Sequence, residues 1–232
     1  MNAIVTGASR GLGLSISRML ASRGYNLFLI ANNQDRLNLV KSQIEKDFDS
    51  KIMVYSCDLS NGSETSKLID DLKERINSVD IIVNNVGAFE MGNLSDTPID
   101  QVERLLKINF EAAFKITQAY LADFKRRGIG NIFNIGSIVT EFPRKDIAAY
   151  TISKFALQGY TKMLCDDLKD HGVRVTEIVP GSINTSSWDG IDAPKEEFIQ
   201  TKDIVDTIEM VINSSKGVNF EQVIIRPTNR NF

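Results

Sequence analysis

Tyr150 and Lys154 stand four positions apart in Tyr150-Thr151-Ile152-Ser153-Lys154. On a helix that spacing puts them one turn apart on the same face. A phenol titrates near pH ~10 and is a poor acid–base group at neutrality. An ammonium beside it favours the phenolate and brings the phenol toward the working range. Such pairs also decorate helix surfaces without any chemical role, so the reading depends on what converges with them. Ser137 follows Asn134-Ile135-Gly136 at the end of an apolar run that reads as a strand. In a doubly wound sheet ligands collect beyond the carboxyl ends of the strands. A hydroxyl there can hydrogen-bond an oxygen that gains negative charge.

A second group of residues suits holding a ligand. Thr6-Gly7-Ala8-Ser9-Arg10-Gly11-Leu12-Gly13 lies between the strand-like run Asn2-Ala3-Ile4-Val5-Thr6 and an amphipathic stretch. Glycines at such a turn let the backbone bend tightly and approach a pyrophosphate, whose charge the helix N-terminus meets. The spacing is Gly-x3-Gly-x-Gly, and a tight corner uses glycine even without a ligand. The strand before and the helix after favour the binding role. Residues 1–34 contain no Asp or Glu, yet carry Arg10, Arg18 and Arg23. That composition is similar to a mitochondrial leader, but cleavage would remove the strand and the glycine turn. A phosphate met by the segment explains its charge better.

These residues need elements to position them. Apolar runs of strand length recur at Ala3–Thr6, Asn26–Ala31, Ile52–Ser56, Ile81–Asn84, Asn131–Ile135, Arg174–Val179 and Gln222–Arg226. They are continuous rather than alternating, as in strands covered on both faces. Amphipathic stretches separate them at Leu12–Ser22, Gln34–Phe48, Ser60–Asn77, Ile99–Arg127, Ala149–His171 and Thr201–Asn213. The alternation predicts an α/β fold with a parallel sheet of about seven strands and helices on both sides. Ser60 with Glu64 nearby, and Asp96-Thr97-Pro98, read as helix starts. Gly24, Gly128 and Gly172 read as helix ends. No linker, repeat or low-complexity stretch intervenes, which predicts one domain over residues 1–232.

Composition excludes several functions. The 232 residues are 42% hydrophobic and 25% charged, unlike a disordered or collagen-like chain. With 27 basic and 30 acidic side chains the net charge is −3, which disfavours nucleic acid or an anionic membrane as the main partner. No apolar run approaches the ~18 residues of a membrane span. His171 is the only histidine, so a His-centred triad or multi-His metal site does not fit, and no metal is expected. Cys57 and Cys165 lack metal-ligand spacing and read as buried thiols of a reducing, cytoplasmic compartment.

Taken together, the glycine turn, Ser137 and the Tyr150/Lys154 pair resemble the motifs of the short-chain dehydrogenase/reductase family, over essentially the whole chain. Thr6–Gly13 resembles that family's cofactor glycine motif. Asp58-Leu59 resembles the pair beside the adenine ring. Asn84-Asn85-Val86-Gly87 is similar to the Asn-Asn-Ala-Gly motif ending the fourth strand, with valine replacing alanine. Pro180-Gly181, with Ile183 and Thr185 just beyond, resembles the segment that closes over the nicotinamide.

The resemblance implies a three-layer doubly wound Rossmann fold and a catalytic tetrad of Asn109, Ser137, Tyr150 and Lys154. It further implies cofactor contacts from Thr6, Gly7, Ser9, Arg10, Gly11, Leu12, Gly13, Asn32, Asp58, Leu59, Asn85, Val86, Gly87, Tyr150, Lys154, Pro180, Gly181, Ile183 and Thr185. In the implied scheme Tyr150 gives a proton to a carbonyl oxygen as hydride arrives from the nicotinamide, or takes one in reverse. Ser137 polarises that oxygen, Lys154 lowers the Tyr150 pKa and holds the ribose, and Asn109 positions a water leading to solvent. The cofactor carries the redox chemistry.

NADP(H) is expected over NAD(H). The second strand ends in Ala31-Asn32-Asn33 with no acid for a ribose 2′-hydroxyl. Arg10 lies where similar NADP-using proteins carry a base against the 2′-phosphate. The departure is Asn32, where many of them have a second arginine and its charge-assisted contact. The expected activity interconverts a small carbonyl compound and its alcohol, with residues 182–200 as substrate loop. Trp188, Ile191, Val139, Phe142, Pro143, Phe89 and Met91 are either pocket walls or core. Arg144 and Lys145 read as solvated loop cations or as readers of an acidic group. The runner-up function is a non-catalytic dinucleotide-binding redox regulator, though such proteins typically lose the tyrosine or the lysine. The resemblance also implies a homodimer or homotetramer built partly through Ile99–Arg127 and Ala149–His171.

Overall fold

The computed structural model describes residues 1–188, 190 and 192–229. Among them seven strands form one sheet: β1 (Asn2–Thr6), β2 (Asn26–Ala31), β3 (Ile52–Ser56), β4 (Ile81–Asn84), β5 (Gly130–Ile135), β6 (Val173–Pro180) and β7 (Gln222–Ile225). The spatial order is β3-β2-β1-β4-β5-β6-β7, and every pairing is parallel. The chain winds outward from β1 to β3, returns to β4 and winds the other way. The crevice between the ends of β1 and β4 is therefore a topological switch point, the place where such sheets hold ligands.

The helices are α1 (Gly11–Ser22), α2 (Gln34–Asp47), α3 (Gly62–Arg75), α4 (Ile99–Leu106), α5 (Ala112–Arg127), α6 (Ala148–Leu168) and α7 (Thr201–Asn213). Alternate strand residues face opposite ways. Ala3, Val5, Leu27 and Leu29 pack with α1, α2 and α7 on one side. Ile4, Ile82, Ile132 and Val175 pack with α3, α5 and α6 on the other. Both faces are thus buried, which is why the strands read as unbroken apolar runs.

Two local details differ from the sequence reading. The expected single helix Ile99–Arg127 is interrupted by a π-turn at Lys107–Glu111. The cap of α3 is Asn61 rather than Ser60: its side chain accepts the backbone N–H groups of Ser63 and Glu64. Its amide also donates to the Glu64 carboxylate at 2.9 Å, whose other oxygen accepts the Asp58 N–H at 3.1 Å. The helix ends at Gly128 and Gly172 are as expected, both with φ of 66°.

Candidate active site

The crevice is stapled shut at its floor. Thr6 Oγ1, at the end of β1, accepts the backbone N–H groups of Asn85 and Val86 at 2.9 Å each. Asn85 Nδ2 donates in return to the carbonyls of Thr6 at 2.9 Å and Gly7 at 3.3 Å. Gly7 has φ +65°, and a Cβ there would lie 2.8 Å from Asn85 Nδ2. A Cβ on Gly13 would lie 2.3 Å from the Gly7 carbonyl oxygen. Gly13 is therefore demanded by packing of backbone on backbone and Gly7 by its φ and the Asn85 amide, and the turn they make leads straight into α1. Arg10, preceding α1, makes no side-chain cap, and the first turn carries no acid. The free N–H groups and positive end of the helix dipole face the crevice, an arrangement that suits a diphosphate. A dinucleotide fits this cradle.

The remaining expected cofactor residues follow the carboxyl ends of β1, β2, β3 and β6. Arg10 and Asn32 are exposed, and among the described residues no carboxylate pairs with Arg10. Asn33 caps α2 by accepting the Arg36 N–H at 2.8 Å. Ser9 is half-buried, and Leu12 and Leu59 are buried. Asp58 is exposed, and its Oδ1 accepts the Ser60 N–H at 2.9 Å and hydroxyl at 2.7 Å, shaping the turn before α3. Gly181, just past Pro180, donates its N–H to Ile225 O at 2.8 Å. Ile183 pairs with Ile199 in a short parallel bridge. Asn184 N donates to Ile199 O at 2.8 Å and Ile199 N to Ser182 O at 3.0 Å, a backbone clasp. Beyond it Thr185 reaches the glycine turn: a Cβ on Gly11 would lie 3.4 Å from the Thr185 Cβ.

Asn109 sits inside the π-turn and is buried. Its Nδ2 donates to Ala88 O at 3.0 Å and to Ser153 Oγ at 2.8 Å, while its Oδ1 accepts the Ala88 N–H at 2.8 Å. Ser153 Oγ donates onward to Tyr150 O at 2.7 Å. One amide thus ties the segment after β4 to α6. The extra residue in the helix aims Asn109 inward, a known use of π-bulges. Gly87 adjoins both Asn109 and Lys154, at 3.5 and 3.6 Å from a hypothetical Cβ.

Lys154 is buried, and its Nζ donates to Ile135 O at 2.8 Å, 5.8 Å from the centre of the Tyr150 ring. Burial pushes Lys154 down to about 8, with the Glu177 charge pulling the other way. Ser137 is buried and accepts the Val139 N–H at 3.4 Å. The half-buried Tyr150 is raised by desolvation, with the Ser137 hydroxyl opposing. The net direction is upward, where the scheme implied by the resemblance has a lowered value, because burial penalises the phenolate.

Phe89 packs edge-on against Tyr150, ring centres 5.2 Å apart. Phe89, Met91 and Phe142 are exposed, and the Arg226 guanidinium lies 4.4 Å from the Phe142 ring centre. Val139 is core. Trp188 packs on Phe198 at 4.8 Å, and Ile191 lies outside the described residues. Arg144 is held by Asp146, with Nε 3.1 Å from Oδ1. Cys57 and Cys165 are unpaired thiols, each raised to about 11 chiefly by burial. Sequence reasoning missed Ser153 and Glu177. A carboxylate inside the apolar run of β6 was the available signal for Glu177.

The sequence pattern of the family described as short chain dehydrogenase matches residues 1–196. An uncharacterized oxidoreductase of Staphylococcus epidermidis is 28% identical over 97% of this chain and 96% of its own. An alcohol dehydrogenase from the archaeon Thermococcus sibiricus, solved with 5-hydroxy-NADP, superposes with TM-score 0.88 and 25% identity, covering 98% and 96% of the two chains. A metagenomic short-chain oxidoreductase solved with NADP gives TM-score 0.85 and 28% identity, covering 99% and 98%.

Proposed function

The chain belongs to the short-chain dehydrogenase family of oxidoreductases, and from that premise we propose that it interconverts a ketone or aldehyde and its alcohol with NADP(H), using Tyr150 as the acid–base group. The observation that carries this reading is the convergence of Ser137, Tyr150 and Lys154 at the end of β5, one short segment away from the glycine cradle. When bound, the nicotinamide supplies or takes the hydride.

This chain's residues divide the rest. The raised Tyr150 keeps its proton at neutral pH, the form needed to donate to a carbonyl oxygen. Ser137, already beside the phenol, hydrogen-bonds the same oxygen and meets its developing charge. Lys154, titrating at about 8, is mainly ammonium at neutrality and stabilises the phenolate left behind. Asn109 holds α6 and the segment after β4 in register, with its tie to Ser153 leading to the Tyr150 backbone. Arg10 and the absence of an acid at Asn32-Asn33 support NADP(H), as do the NADP-type ligands of the two structural relatives.

Residues 1–232 act as one nucleotide-binding domain, with 182–200 and the exposed Phe89, Met91 and Phe142 forming an apolar mouth for the substrate. The exposed Phe114 on α5 and Ile152, Phe155 and Met163 on α6 form the face for a second copy, in a homodimer or homotetramer. Among the described residues no helix is long and apolar enough to cross a membrane, and the two unpaired thiols suit the reducing cytoplasm.

The test is NADPH oxidation across aldehydes, quinones, diketones, β-ketoesters, sugars and steroids, with Tyr150→Phe in parallel. Turnover of the variant is expected to fall by about 10²–10⁴-fold with NADPH binding kept. Wild-type NADPH binding without turnover of any carbonyl would instead favour the redox regulator.

A further inference from the structure

Among the described residues, Lys154 and Glu177 are the only charged side chains in the fully buried class. Glu177 lies in β6 opposite Asn134 of β5, so its side chain is on the α6 side of the sheet. Its Oε1 has no hydrogen-bond partner. That oxygen lies against Gly136, where a Cβ would come within 2.5 Å of it. Its Oε2 accepts from Gln222 Nε2 at 3.3 Å, and the same nitrogen reaches the exposed Glu141 at 3.2 Å.

The position of that carboxylate is specific. Gly136 separates Ile135, whose carbonyl takes Lys154 Nζ at 2.8 Å, from Ser137, the hydroxyl beside the phenol. The charge therefore sits one residue behind both groups. A buried carboxylate with an unpartnered oxygen is costly, and a glycine has to stand opposite to admit it. The groups facing it are Lys154, Lys162 and Cys165 from α6, Glu141 beyond β5, and Gln222 from β7. Lys154 is the buried cation of that set.

We propose that Glu177 is a positioning residue for the reaction: lodged in the space Gly136 leaves, its carboxylate keeps Lys154 in the ammonium form and so sets the upper pH limit of the site. The role rests on the reading of Tyr150 and Lys154 given above. The two groups act on one another reciprocally. Glu177 pulls Lys154 upward against burial, and Lys154 pulls Glu177 downward from a value that burial lifts to about 7. Without the carboxylate, burial acts on Lys154 unopposed and the amine form takes over at lower pH.

The experiment is the titration of Lys154, read by NMR of protein carrying isotope-labelled lysine side chains, in wild type and Glu177→Gln. Tightness of NADPH binding serves as the check of folding. In the variant the Lys154 midpoint is expected to fall by about one pH unit, a tenfold change in the ammonium-to-amine ratio. The alkaline limb of the kcat/KM profile moves with it, and Glu177→Asp, which keeps the charge, restores most of both. An unmoved Lys154 midpoint in a variant that binds NADPH normally overturns the proposal. Should Glu177→Gln fail to bind NADPH, wild type decides: the Lys154 signal must show a second inflection at the Glu177 midpoint, and its absence overturns the proposal equally. A screen that finds no carbonyl substrate refutes the reading of the site while leaving these titrations as they are. Normal turnover with an unmoved Lys154 refutes the role of Glu177 alone.

Discussion

Replacing Glu177 by glutamine removes a charge and almost no volume, so it isolates what the buried carboxylate costs the fold. A solvated glutamate titrates at 4.5 and Glu177 at about 7. Between those values the native state keeps a proton that the unfolded chain has released, so stability falls as pH rises. Below the lower value the cost is absent; above the upper one it is fully present. At ~1.36 kcal/mol per pH unit the interval amounts to about 3 kcal/mol, most of which accrues between pH 5 and pH 8. For a chain of this length that corresponds to roughly 5–10 °C in Tm.

Thermal unfolding followed by circular dichroism should therefore show the two proteins melting within a few degrees of each other near pH 5 and the variant melting higher by that margin at pH 8. Lys154 acts in the opposite sense in a different window. Its folded value is lowered from 10.5 to about 8, so its contribution makes stability rise as pH climbs between them. Parallel melting curves for wild type and Glu177→Gln from pH 5 to pH 8 would refute the reasoning, because the carboxylate would then be as well solvated folded as unfolded.

Two further outcomes follow from the cofactor cradle. Gly13→Ala places a methyl 2.3 Å from the Gly7 carbonyl oxygen, a clash of backbone that no rotamer relieves. NADPH affinity should drop at least about tenfold and stability by about 1–3 kcal/mol, read by fluorescence titration and urea unfolding; unchanged binding would contradict the cradle. Arg10→Ser should weaken NADPH binding by about 1.5–3 kcal/mol, the worth of a hydrogen bond to a charged group, and leave NADH binding nearly unaltered. An equal loss for both nucleotides would show that Arg10 does not read the 2′-phosphate.

The scaffold was legible because both faces of the sheet are covered. β2, β3 and β4 begin and end where their apolar runs do; β1, β5 and β7 differ by one residue at one end, and β6 by one residue at each end. The candidate tetrad and glycine turn were legible because their chemistry is carried by residue type at short spacing. The π-turn around Asn109 was not, since one extra residue in a helical turn hardly disturbs an amphipathic pattern. Asn61 and Ser60 are both good caps, and only the chain's path chooses between them. Trp188, read as either pocket wall or core, packs its ring on Phe198, and Arg144 spends its charge on Asp146. Such choices among neighbours are tertiary and leave no periodic trace. Glu177 is a different kind of omission: its residue type was visible, but the Gly136 space that admits it lies just past the end of another strand, β5.

The backbone clasp between Ser182–Asn184 and Ile199 has an evolutionary corollary. It ties the residues just before Thr185 to Ile199, just ahead of α7. Entropy of closure grows slowly with length, about 0.6 kcal/mol for each doubling. A stretch so anchored behaves as an exchangeable insert, able to lengthen, shorten or change composition while strand register and glycine turn stay as they are. Grafting the corresponding stretch of another family member downstream of Thr185 is thus a practical route to new substrates, with Thr185 kept at the glycine turn.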